Sequence, residues 1–75
     1  MANQKSDLCS KFGTRIRELR KKSGYSQEEF ADHVGMHRTY LGGLERGERN
    51  PTLTVIMRLA KGLGISISEL TVGIK

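Results

Sequence analysis

The sequence predicts an all-α fold, a compact domain of five short helices, and three observations carry that reading. Apolar residues recur at intervals of three and four, two Ser-x-x-Glu boxes open periodic stretches, and a glycine follows each of the first four stretches. Such intervals place side chains on one face of a helix, whereas a strand face repeats every second residue. The one brief alternation, Ile65 and Ile67, falls inside a capping signal, so no strand is expected.

The first helix runs from Leu8 to about Lys22, with Leu8, Phe12, Ile16 and Leu19 as its core face. Its remaining surface is cationic, and Arg20, Lys21 and Lys22 gather at the C-terminal end, where the helix dipole favours positive charge. Gly24 stops it in the left-handed conformation. Ser26-Gln27-Glu28-Glu29 is a capping box, and Tyr25 is placed to staple against Phe30, so a second helix begins at Ser26. Phe30, Ala31 and Val34 form its buried side, and Gly35 ends it.

A third helix is expected from about His37 to Arg46, with Tyr40, Leu41 and Leu44 inward and Gly47 as its stop. Gly42 and Gly43 lie inside it, each costing roughly 1 kcal/mol relative to alanine, so packing of Leu41 and Leu44 must hold it. Asn50-Pro51-Thr52 makes a turn and a cap. Leu53, Ile56, Leu59, Ala60 and Leu63 then mark a fourth helix closed by Gly64. The second box, Ser66-Ile67-Ser68-Glu69, opens a short fifth helix, with Ile65 and Leu70 as its staple.

With 75 residues the chain is expected to be a single domain, residues 1–75, with a core about 8–72 and a flexible start at 1–6. So small a domain folds alone only marginally, and a homodimer interface is expected to supply part of the buried apolar area. Thirteen Lys and Arg against eight Asp and Glu give +5 and a pI near 9.8, which suits a polyanionic partner without naming one. Cys9 is the single cysteine, which forbids an internal disulfide. No apolar run has the length of a membrane span and the N-terminus lacks the apolar stretch of a signal peptide, so a cytoplasmic protein without membrane partner is expected.

Two helices of about eight residues joined through a glycine-containing turn, Gln27 to Val34 and then His37 to Arg46, have the dimensions of a helix-turn-helix. In that motif the second helix enters the DNA major groove and the first crosses the backbone. Its outward positions here are His37, Arg38, Thr39, Gly42, Gly43 and Arg46. Arginine can be bidentate to guanine, and threonine offers a hydroxyl or a contact for the thymine methyl.

The runs Ser26-Gln27-Glu28-Glu29-Phe30-Ala31, Leu44-Glu45-Arg46-Gly47, Asn50-Pro51-Thr52-Leu53 and Leu59-Ala60-Lys61-Gly62-Leu63-Gly64-Ile65-Ser66 resemble the phage-repressor and Cro type of helix-turn-helix, the Xre type. His37-Arg38-Thr39-Tyr40 and Glu45-Arg46-Gly47-Glu48-Arg49-Asn50-Pro51 are similar to the controller proteins of restriction-modification systems. The resemblance implies a lambda-repressor-like fold and a transcription regulator, homodimeric on a palindromic operator, with two dimers on tandem sites as a further form. It implies base reading by His37, Arg38, Thr39 and the position of Gly43, and contacts to the DNA backbone from Arg20, Gln27, Tyr40, Arg46, Arg49 and Asn50. Gln27 would also brace the recognition helix, and Arg20 would pair with Glu45. A dimer surface would include Leu63, Ile65, Ile67 and Leu70, and Glu28 and Asp32 would present acids to RNA polymerase.

Other readings are a phage-type or toxin-antitoxin repressor and, in a different class, a protein-binding adaptor. RNA reading falls behind because the four aromatic residues, Phe12, Tyr25, Phe30 and Tyr40, are placed for packing. Enzymatic chemistry is not expected: Glu28 and Glu29 diverge by about 100° on a helix, and no nucleophile elbow or phosphate loop occurs. His33 and His37 are separated by Gly35 and lack a third ligand, so neither metal nor cofactor is expected.

Overall fold

The computed structural model describes residues 7–75; the expected flexible start at 1–6 lies outside the described residues. Five helices follow one another there: α1 (Asp7–Lys22), α2 (Gln27–Val34), α3 (Arg38–Glu45), α4 (Leu53–Leu63) and α5 (Ile67–Leu70). Their starts are set locally. Ser26 and Ser66 each accept from the backbone N–H three residues on while Glu29 and Glu69 return the bond, and Thr52 caps α4 alone. Tyr25 meets Phe30 at 5.3 Å between ring centroids, the expected staple.

Their ends are equally local. Gly35 takes φ +70°, a left-handed value that an L side chain resists, and turns the chain from α2 into α3 within three residues, Gly35 to His37. The third helix is one residue shorter at each end than its pattern suggested. His37 is its N-cap, with Nδ1 accepting from the Thr39 N–H at 3.3 Å, and Arg46 is its C-cap.

Phe12, Ile16, Phe30, Ala31, Val34, Leu41, Leu44, Leu59, Ala60 and Leu70 form one buried cluster. Helix α3 packs against α1 and α2, while α4 packs against α2 and α5. Leu41 and Leu44 are fully buried. Each stabilises by about 1.5–3 kcal/mol, which offsets the roughly 2 kcal/mol that Gly42 and Gly43 cost the helix. At Gly13, α1 and α3 approach so closely that a Cβ would stand 2.6 Å from the Glu45 carbonyl oxygen and nearer still to that of Leu44. The end of α5 is tied back to α1 by Arg15, whose Nε and Nη2 donate to the carbonyls of Leu70 at 3.2 Å and Glu69 at 2.7 Å.

Three expectations about faces need correction. Leu8, assigned to the core, is 54% exposed: in the first turn of α1 it lines an open recess with Phe12, Ile56 and Ile74 and does not enter the buried cluster. Leu53 is 72% exposed, because the buried side of α4 is built from Leu59 and Ala60 and the start of the helix projects past it. Leu70 runs the other way: it is fully buried in its own chain, closing the core beneath α5, and so is not a surface residue.

Candidate nucleic-acid interface

The site is built on the α2–α3 pair. Gln27 opens α2 and is half-buried; its Nε2 donates to Glu45 Oε1 at 2.9 Å. Glu45, in the last turn of α3, also accepts from Arg20 of α1 through Nε at 2.7 Å and Nη2 at 3.0 Å. The remaining Nη1 of Arg20 donates to the Tyr25 carbonyl at 2.8 Å. One carboxylate thereby joins α1, the start of α2 and the end of α3, and fixes the angle at which α3 is carried. The expected Arg20–Glu45 pair is present and buried, and Gln27 takes the bracing position the resemblance implied.

Arg20 does not reach the surface. It is 6% exposed and each guanidinium nitrogen is engaged within the protein, so the expectation that it also contacts a phosphate is withdrawn. Arg38 and Thr39, in contrast, stand exposed in the first turn of α3, beside the exposed His37. The imidazole of His37 is partly committed, since its Nδ1 is the α3 cap.

The two glycines of α3 face away from the core, as expected, but each is covered by an arginine side chain. Gly43 is buried because the side chain of Arg49, from the following loop, lies across it: a Cβ there would be 3.1 Å from both Cγ and Nε of Arg49. The Arg49 guanidinium carbon in turn lies 5.8 Å from the centroid of the half-buried Tyr40 ring, a cation–π arrangement. Gly42 is covered by Arg46 and Gln27. The base-reading position expected at Gly43 therefore presents arginine, not bare backbone. Arg46, Arg49 and Asn50 are exposed along the loop after α3. Arg46 is bidentate to Glu48, whose carboxylate raises the Arg46 pKa above its ordinary value.

Glu28 and Asp32 are both exposed on α2, one turn apart. His33 stacks on Tyr25 and places Nε2 3.1 Å from the Gly62 carbonyl, while His37 caps α3, so the two histidines serve different elements. Among the described residues no group of three His, Cys, Asp or Glu is gathered as a metal site, and no helix is long and apolar enough to cross a membrane.

Of the expected dimer residues, Leu63, Ile65 and Ile67 are half-buried. Leu53 and Met57, which the sequence reading did not place on the surface, are 72% and 48% exposed and lie one turn apart on α4 beside Ile67. The signal was there: Leu53, Val55, Ile56, Met57, Leu59, Ala60 and Leu63 are more apolar positions than one helix face holds.

A short helix carried by a buried ion pair, with arginine and threonine exposed in its first turn and arginines along the following loop, defines a helix-turn-helix DNA-binding regulator. Residues 16–70 match the family model HTH_3, helix-turn-helix, and the chain belongs to that Xre-type family, whose members are regulators and not enzymes. It is 41% identical over 66 residues to Control protein C.MunI of Mycoplasma sp, a span covering 87% of this chain and 89% of that one. The crystal structure of the restriction-modification controller protein C.AhdI from Aeromonas hydrophila superposes with a TM-score of 0.80 at 50% identity, covering 83% of this chain and 94% of that chain. The restriction-modification controller protein C.Esp1396I, solved as a tetramer in complex with its natural 35-base-pair operator, superposes with a TM-score of 0.80 at 35% identity, covering 87% and 86%. The all-helical fold and the resemblance to controller proteins expected from the sequence both hold.

Proposed function

We propose that this regulator is the controller protein of a restriction-modification system, binding a palindromic operator as a homodimer and regulating its own gene and the linked endonuclease gene from the cytoplasm. The observation that carries the reading is the exposed Arg38–Thr39 pair in the first turn of α3, a helix whose far end Glu45 holds rigidly. Arg38 and Thr39 read base edges, with His37 beside them. Gln27, Tyr40, Arg46, Arg49 and Asn50 contact the backbone and fix the register.

The dimer surface is the outer face of α4 and α5, with Leu53 and Met57 added to Leu63, Ile65 and Ile67. A second copy is its occupant: a two-fold operator needs two recognition helices about a helical turn apart, and a domain this small gains from covering such a face. Two dimers on tandem sites are the higher form, as similarity to the C.Esp1396I tetramer suggests. Glu28 and Asp32 are offered to RNA polymerase from α2. Neutralising both as Glu28→Gln and Asp32→Asn should abolish activation and leave DNA binding intact; unchanged activation rejects that role.

The experiment is titration of the protein against DNA from just upstream of its own gene and against scrambled DNA of equal length, at near-physiological salt. A ratio of about 1,000 or more, saturating at two or four chains per site, is expected. A ratio near one would reject operator binding at that site, since cationic attraction alone is indifferent to sequence.

A further inference from the structure

Just past the end of α3, the backbone is fixed by two bonds, Gly47 N–H to Leu44 O at 3.0 Å and Glu48 N–H to Gly43 O at 2.9 Å, with Gly47 left-handed at φ +78°. This turn brings Glu48 back beside Arg46. Arg46 Nε donates to Glu48 Oε2 at 3.0 Å and Nη2 to Oε1 at 3.2 Å. Its Nη1 lies over Gly42, 3.1 Å from where a Cβ would stand, so the glycine gives the guanidinium a seat on the recognition helix next to Gln27.

Both side chains are exposed, 58% for Arg46 and 46% for Glu48, and an exposed pair contributes little to folding. The edge that is occupied matters more. Nε and Nη2 form one of the two edges through which a guanidinium binds a phosphate or a guanine in bidentate fashion. Here a carboxylate fills it, on a surface otherwise suited to a polyanion, where an added negative charge is repelled.

We propose that Glu48 is a specificity-determining residue, which withholds the bidentate edge of Arg46 from arbitrary phosphates and releases it only when the operator has seated α3 in register. Glu48 acts through Arg46 and touches no base itself. The inference rests on the reading of α3 and its following loop as the DNA surface.

The test measures binding of the full chain to scrambled duplex across a salt series, and to the upstream DNA, for the native protein, Glu48→Gln, Arg46→Ala and the double variant. Glu48→Gln should tighten binding to scrambled DNA roughly three- to tenfold near 0.1 M salt and steepen the slope of log affinity against log salt by about 0.9, one phosphate contact. Affinity for upstream DNA should rise less, so the ratio falls. In the Arg46→Ala background the same change should have less than about half its logarithmic effect. Unchanged or weaker binding of Glu48→Gln to scrambled DNA, or an equal gain without Arg46, overturns the proposal. A native ratio near one would reject the operator reading and the specificity role that rests on it, while the scrambled series would show separately whether Glu48 restrains Arg46; a ratio unchanged by Glu48→Gln overturns the specificity role alone.

Discussion

Arg20 of α1 and Glu45 of α3 form a two-point ion pair, 2.7 Å and 3.0 Å, with side chains only 7% and 3% exposed. Such a pair is a geometric device more than a source of net stability, because desolvation offsets most of its attraction. Truncating one partner is a different matter. Glu45→Ala strands a buried guanidinium and removes the acceptor for Gln27, so it should cost about 3–5 kcal/mol in urea unfolding. Replacing both, as Arg20→Met with Glu45→Leu, should cost clearly less than the sum of the single changes, and additive losses would show the pair to be uncoupled.

Arg38 has no role in the core, so Arg38→Ala should leave the unfolding free energy unchanged within about 0.5 kcal/mol. Operator affinity should fall by about 1–3 kcal/mol with relaxed preference at one base pair, as loss of a bidentate guanine contact requires. A uniform loss on operator and scrambled DNA would instead mark Arg38 as a phosphate contact.

Two glycine substitutions should have opposite effects on stability. Gly13→Ala drives a methyl group against the backbone carbonyls of Leu44 and Glu45, which have no room to yield, and should destabilise by about 1–3 kcal/mol or more. Gly43→Ala meets only the flexible side chain of Arg49 and gains helix propensity, so it should stabilise by up to roughly 1 kcal/mol. It should also displace Arg49 and weaken operator binding. Thermal unfolding and DNA titration of both variants separate the two effects.

Leu53 and Leu70 provide the corresponding contrast at the other end of the molecule. Leu53→Gln with Met57→Gln, neutral and exposed, should shift sedimentation equilibrium from dimer toward monomer by tenfold or more in dissociation constant, about 1.4 kcal/mol, with helicity retained. Leu70→Ala should unfold the monomer more readily by about 2–5 kcal/mol, because it opens a cavity in the core. Retention of a tight dimer in the first variant would move the interface off α4.

What the sequence alone determined is local. Both capping boxes, the Thr52 cap, the Tyr25–Phe30 staple and the left-handed Gly24, Gly35, Gly47 and Gly64 are interactions between residues a few positions apart. Their partners are written into the same short window. The tertiary structure decided which apolar faces meet another helix: Leu70 is buried while Leu53 is not, although both occupy apolar positions of helical repeats. It also decided that Gly13 lies at a helix crossing, that Arg49 covers Gly43, and that Arg20 is sealed from the surface. Periodicity tells which residues share a face; whether that face is covered depends on how segments distant in sequence pack, and no local pattern carries that information.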